Sequence, residues 1–155
     1  MDNGLKMERK TTPMIGIAVL LMAIGVIAVF VMPRIGNHVE FSRRVFQGLV
    51  EGKPGVDRDI EWQHLKALGV DVGAAYVKLP NDQERLQYRK AFIQQCSEGF
   101  RRVGGKPEAF VRWRTQGRTN DGRVVVATDY EAKNKTLLLD VSGGWRKQVV
   151  SIQWQ

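Results

Sequence analysis

A single cysteine, Cys96, means that no intramolecular disulfide can brace this chain, so any folded part must rest on its own buried apolar surface. Only two histidines are present, and no set of Cys, His, Asp and Glu has zinc-ligand spacing, which removes the common structural and catalytic metal motifs. No cofactor is therefore expected. A Gly-rich phosphate loop and a nucleophile elbow are also missing, so the sequence carries neither a nucleotide-binding nor a serine-hydrolase signature. There is no internal repeat and no low-complexity tract. Acidic residues are the minority charge, 16 Asp and Glu against 24 Lys and Arg, for a formal net charge of +8.

What the chain does contain is an uninterrupted apolar run at residues 14–32 (MIGIAVLLMAIGVIAVFVM), bracketed by Pro13 and Pro33. Nineteen helical residues reach about 28 Å, against a hydrocarbon core of about 30 Å. A buried core helix normally keeps a polar stripe, and this run has none. The expectation is a single-pass transmembrane helix. The run is longer than the apolar part of a cleaved signal peptide, and no A-x-A pattern follows it, so an uncleaved signal anchor is expected. Lys6, Arg9 and Lys10 precede it while Arg34, Arg43 and Arg44 follow, nearly a tie for the positive-inside rule. A tail this short more often stays inside. The carboxyl-terminal domain is therefore expected on the periplasmic side of a cell inner membrane, with the lipid bilayer as its first partner.

The chain then divides into a tail (1–13), the anchor (14–32), a link (33–36) and a domain at 37–155. Residues 34–155 carry 21 Lys and Arg against 14 Asp and Glu, a net +7. Such a part could lie on anionic lipid or meet an acidic protein; a generally basic solvated surface is the plainer reading, because the charges are spread.

Asn37 with Glu40 reads as a capping box, and Phe41, Val45, Phe46, Leu49 and Val50 make a helical stripe that stops at Gly52 and Pro54. A second helix is expected over 57–69, burying Ile60, Trp62, Leu65 and Leu68, with 70–80 as an irregular connection. Asn81 and Glu84 repeat the cap ahead of a third helix, whose stripe is Leu86, Phe92, Ile93, Cys96, Phe100 and Val103 and whose end is Gly104-Gly105. Cys96, lying on that stripe, reads as a buried, inert thiol.

After Pro107 the period changes to two. Residues 109–116, 123–130, 136–141 and 145–154 read as four strands, the first two joined by a turn at Asp121-Gly122. Val111, Trp113 and Thr115 should share one face with Arg112 and Arg114 on the other, and Val150, Ile152 and Trp154 should share a face. The expected fold class is α+β, with three helices packed on a curved four-stranded antiparallel meander.

Helices followed by a curled meander ending in GGWRKQVVSIQWQ resemble the nuclear transport factor two-like superfamily, the cone-shaped α+β fold. The resemblance covers roughly residues 37–155. It implies a cone that is an active site in some members, a small-molecule pocket in others, and a dimerisation or docking scaffold in many. It also implies an additional strand pair between helices, of which 70–80 could hold a remnant. In layout the chain resembles membrane-anchored members that assemble bacterial secretion systems.

Asp59, Glu61, His64, Tyr76, Tyr88, Asp129 and Tyr130 are candidates for acid–base chemistry in such a cone, Glu61 and His64 sharing a helix face. Against them stands a solvated pair on a surface helix. Arg112, Arg114, Arg118 and Arg123 gather on the first hairpin and could grip an acidic partner, with Trp113 and Trp154 as aromatic contacts. A charged sheet edge that discourages strand addition explains the same arginines. No exposed aromatics are expected interleaved with these arginines for stacking, so nucleic acid is not an expected partner. The leading expectation is a membrane-anchored, non-enzymatic scaffold that docks a protein partner or pairs with another copy. A small-molecule pocket comes second, and an acid–base enzyme third.

Overall fold

The computed structural model describes residues 37–143 and 146–155. The tail, the apolar run 14–32 and the link 33–36 lie outside the described residues. Among those described, no helix is long and apolar enough to cross a membrane, so the transmembrane helix is not part of the observed fold.

Helix α1 (His38–Glu51) begins where the Asn37 side chain accepts a hydrogen bond from the Glu40 N–H at 2.9 Å, and it ends at Gly52 in the left-handed conformation, φ 65°. Its stripe of Phe41, Val45, Phe46, Leu49 and Val50 is buried, none of the five more than 8% exposed. Each such side chain stabilises the fold by roughly 1.5–3 kcal/mol relative to exposure. Gly48 lets α1 come close to the next segment, since a Cβ there would lie 2.9 Å from Val56 Cγ2.

The expected helix over 57–69 does not form. A 3-10 helix (Val56–Asp59) leads into Ile60, which bridges in parallel to Val149, and then into strand β1 (Lys66–Ala67). Ile60, Trp62 and Leu65 are buried as expected, but Leu68 is 48% exposed. Ile60 and Trp62 are two residues apart, a strand spacing, and the Trp62 Nε1–H donates to the Asp57 carbonyl at 2.8 Å, which fixes the irregular path. Residues 70–80 likewise hold more than a connection. They contain β2 (Val70–Asp71) and helix α2 (Val72–Tyr76), capped by the Asp71 side chain on the Ala74 N–H at 2.8 Å.

Helix α3 (Asp82–Arg102) is capped by Asn81, whose side-chain oxygen accepts from the Glu84 N–H while its amide donates to the Glu84 carboxylate, both at 2.9 Å. Strands β3 (Phe110–Arg118), β4 (Val124–Tyr130), β5 (Lys135–Val141) and β6 (Val149–Trp154) follow. The four pair as an antiparallel meander, but the sheet is larger than that. It is a mixed, six-stranded sheet in the order β2-β1-β6-β5-β4-β3, with β1 parallel to β6 and antiparallel to β2. The two added strands have two residues each, too few to show a period of two in the sequence.

Two bulges alter the expected faces. Val111 pairs with Asp129 and Arg114 with Ala127, so one residue too many lies between them. Arg112 absorbs it at φ 51°, and Val111 joins Arg114 on the outer face rather than Trp113. In β6 the register slips after Asp140, so Val149 pairs with Val141 and shares the core face with Ile152 and Trp154, while Val150 is the extra residue. The core combines α1, Ile60, Trp62, Leu65 and the inner face Phe110, Leu137, Leu139, Val141, Val149 and Ile152.

Candidate functional site

Helix α3 is pinned most firmly along one side, while Tyr88, Phe92 and Phe100 beside it are only partly buried against the core. Ile93 is its one buried residue, and the Ser97 hydroxyl donates to the Val50 carbonyl of α1 at 2.8 Å. The next stripe around the helix, Tyr88, Phe92, Cys96, Gly99 and Val103, recurs every three to four residues and so shares one face. That face lines an open cavity of about 520 Å³, within the range of small-molecule sites.

The sheet supplies the facing wall. Phe110 and Tyr130 stack at 4.8 Å between ring centroids and 14° between planes, and Trp154 lies 6.1 Å from each. The β1–β2 turn contributes Leu68 and Val70. Among the described residues six large hydrophobic side chains are exposed, and four of them, Leu68, Val70, Val103 and Trp154, line this one cavity. Exposed apolar groups scattered singly are ordinary; gathered around one concavity they mark a binding surface.

Among the described residues the polar groups of the lining are Gln95, the two tyrosines, Cys96, Lys133 and Lys135, with no Asp, Glu or His. Burial pushes the Cys96 thiol up to about 11, so it is a thiol rather than a thiolate at neutral pH and acts as a small apolar group. A second groove of about 690 Å³ runs past Glu51, Lys53, Asp57, Arg58, Lys90 and Glu98. Its mixed charges favour no single ligand chemistry.

The residues singled out from the sequence separate. Arg112 Nε and Arg114 Nη1 each lie 2.9 Å from Asp129 Oδ2, and the Thr136 hydroxyl donates to Asp129 Oδ1 at 2.9 Å. Arg114, Arg112 and Thr136 together hold the Asp129 carboxyl well below the usual range. Arg118 Nη1 donates to the Gly122 carbonyl at 3.2 Å, and Arg123 Nε lies 2.9 Å from Asp121. These four arginines are thus engaged locally, two on the outer face and two at the β3–β4 turn. Trp113 packs on Phe46 at 5.8 Å and donates to the Phe110 carbonyl at 3.0 Å. Trp154 alone of that set lines the cavity.

Of the acid–base candidates, Tyr88 and Tyr130 reach the cavity. His64 Nδ1 is 3.8 Å from Glu61 with its side chain largely exposed, and Asp59 faces Arg44 at 3.5 Å. Tyr76 packs between Trp62 and Tyr88. Leu68, Val70, Phe110, Lys133 and Lys135 were not legible as site residues. Leu68 and Val70 sit in a hairpin that straddles the end of the expected helix 57–69 and the start of the expected connection 70–80, and the lysines sit in an unremarkable turn.

No family model matches the chain, and no curated protein or solved structure matches it either.

Proposed function

We propose that residues 37–155 form a non-enzymatic binding module whose cavity takes a small molecule with an apolar body. The observation that carries this is the gathering of Leu68, Val70, Val103 and Trp154 around a cavity already walled by stacked aromatics. Filling it removes apolar surface from water, at roughly 25 cal/mol for each Å² covered. An acid–base reaction is less well supported, because a general base must reach the proton it takes and no carboxylate or imidazole lines the cavity among the described residues. Docking through the arginine hairpin is less well supported too, since those side chains are engaged by Asp129, Asp121 and the Gly122 carbonyl.

The resemblance to the nuclear transport factor two-like superfamily belongs to the same proposal; helices packed on one face of a meander-based sheet, with a cavity between, support it. Placement of the domain at a membrane also belongs to it and rests on the apolar composition of residues 14–32 alone.

The test is titration with N-phenyl-1-naphthylamine, a neutral probe that fluoresces in apolar surroundings. The expected result is saturable enhancement, weakened about tenfold or more by Trp154→Ala, which removes a large aromatic wall. Val103→Asn, at an exposed rim position, should weaken it by a smaller factor without changing the melting curve. Enhancement that never saturates, or that ignores both substitutions, would overturn the reading.

A further inference from the structure

We infer that the cavity's occupant is an amphipathic anion, its negative head held by Lys133 and Lys135 and its apolar body against Phe92, Phe110 and Trp154. This rests on the reading of the cavity as a small-molecule site and adds the ligand's charge. Among the described lining residues Lys133 and Lys135 are the only Lys, Arg, Asp or Glu, so the charge-bearing chemistry there is cationic, with no carboxylate beside it. Neither makes an ion pair among the described residues. Glu131, their nearest acidic neighbour in sequence, is turned to Arg112 at 3.5 Å. Asn134 between them is left-handed, φ 49°, and ends the short 3-10 helix Glu131–Lys133. Tyr130 is paired with Lys135 across β4 and β5, so one lysine stands beside the stacked rings.

The opposing influence is the carboxyl end of α3, which carries partial negative charge. It is blunted at this cavity. The N–H groups of Gly104 and Gly105 already bond the carbonyls of Arg101 and Phe100, and Arg101 and Arg102 occupy the last turn. Two lysines with no arginine among the described lining residues favour an anion recognised as a charge rather than by a planar fork. A carboxylate and a phosphate monoester meet that description equally, and the apolar wall requires an aliphatic or aromatic body behind either head.

Competition against bound N-phenyl-1-naphthylamine separates the possibilities, using decanoate, decyl phosphate, decanol and decylamine at one salt concentration. The expected order is both anions ahead of decanol by about tenfold, as for a hydrogen bond to a charged group, with decylamine last. The anion advantage should shrink as salt is raised and vanish in a Lys133→Gln, Lys135→Gln double variant that still binds the neutral probe. Decanoate ahead of decyl phosphate would assign a carboxylate source, and the reverse a phosphorylated one; either order supports an anionic occupant. Decanol equal to the anions, or an advantage that survives the double variant, would overturn this inference while leaving the cavity a binding site. Failure of the neutral probe itself would instead remove the reading beneath it. Anion binding seen only with phosphatidylglycerol vesicles and never with the soluble anions would also overturn it, assigning the lysines to a membrane surface.

Discussion

Asp140 lies between Leu139 and Val141, both turned into the core, and only 9% of it is exposed. It faces outward opposite Ser151 and Val125. Burial pushes its carboxyl above the ordinary range; Arg123 works against that shift and Asp121 with it. A carboxyl whose folded value is raised costs nothing while it is protonated in both states. The cost grows as pH rises from the ordinary carboxyl value, where the unfolded chain ionises first, and is complete above the raised folded value, because burial disfavours the ion. Asp140→Asn should therefore raise the urea midpoint near pH 7, by an amount worth about 0.5 kcal/mol after solvent screening, and leave it unchanged near pH 3. Urea melts at the two pH values check this. An equal gain at both would place the effect in packing rather than charge. Asp129, on the same outer face, has the opposite sign, its stability contribution present at neutral pH and lost as pH falls.

Among the elements, the β1–β2 hairpin works against local preference in its loop. Its loop is Leu68-Gly69, with φ of 52° and 86°, the two positive values that a tight primed turn demands. Glycine accepts this freely, whereas a leucine there costs about 1–2 kcal/mol. That strain holds a half-exposed leucine at the mouth of the cavity, as strained residues at binding sites do. Leu68→Asn, giving the preferred Asn-Gly turn, should stabilise the domain by about 0.5–1 kcal/mol in urea melts while weakening neutral-probe binding. Tighter binding together with a stability loss would show that the leucine belongs to the turn and not to the site. This hairpin also marks where sequence legibility ends. Helices α1 and α3 were legible because Asn37, Gly52, Asn81 and Gly104 punctuate them and their stripes run for several turns. The meander was legible from its period and turns. Two-residue strands have no period, and an arginine at φ 51° leaves no trace in composition, so the mixed sheet and the bulge at Arg112 emerge only from long-range pairing. The stripe on α3 was legible as apolar. Whether such a stripe meets a packed core or an open cavity depends on how far away the facing sheet stands, and no local pattern records that.

At the scale of the whole molecule, the helical layer closes over the sheet on one side and not on the other. Helix α1 is sealed against the sheet through Phe46, Phe110 and Trp113, whereas α3 holds by Ile93, Ser97 and the partly buried Tyr88, Phe92 and Phe100, and the remainder of its second stripe borders the cavity. A domain selected for stability alone would fill that space, since unfilled apolar volume forfeits contacts. Gly99 is the most economical place to do so. It lies inside α3, where glycine costs about 0.5–1 kcal/mol relative to alanine, it lines the cavity, and a Cβ built on it meets nothing within 4 Å. Gly99→Leu should gain helix propensity and cover Phe100 and Tyr130, stabilising the fold by about 1–2 kcal/mol, or a rise in Tm of about 4 °C or more. The same leucine occupies the ligand's volume, so the neutral probe should bind at least about tenfold more weakly. A gain in stability bought with a loss of binding is the pattern of a cavity kept open for use. A stabilised variant that binds the probe as the parent does would mean that the probe sits elsewhere, and a destabilised one that the space beside Gly99 is already taken by moving side chains.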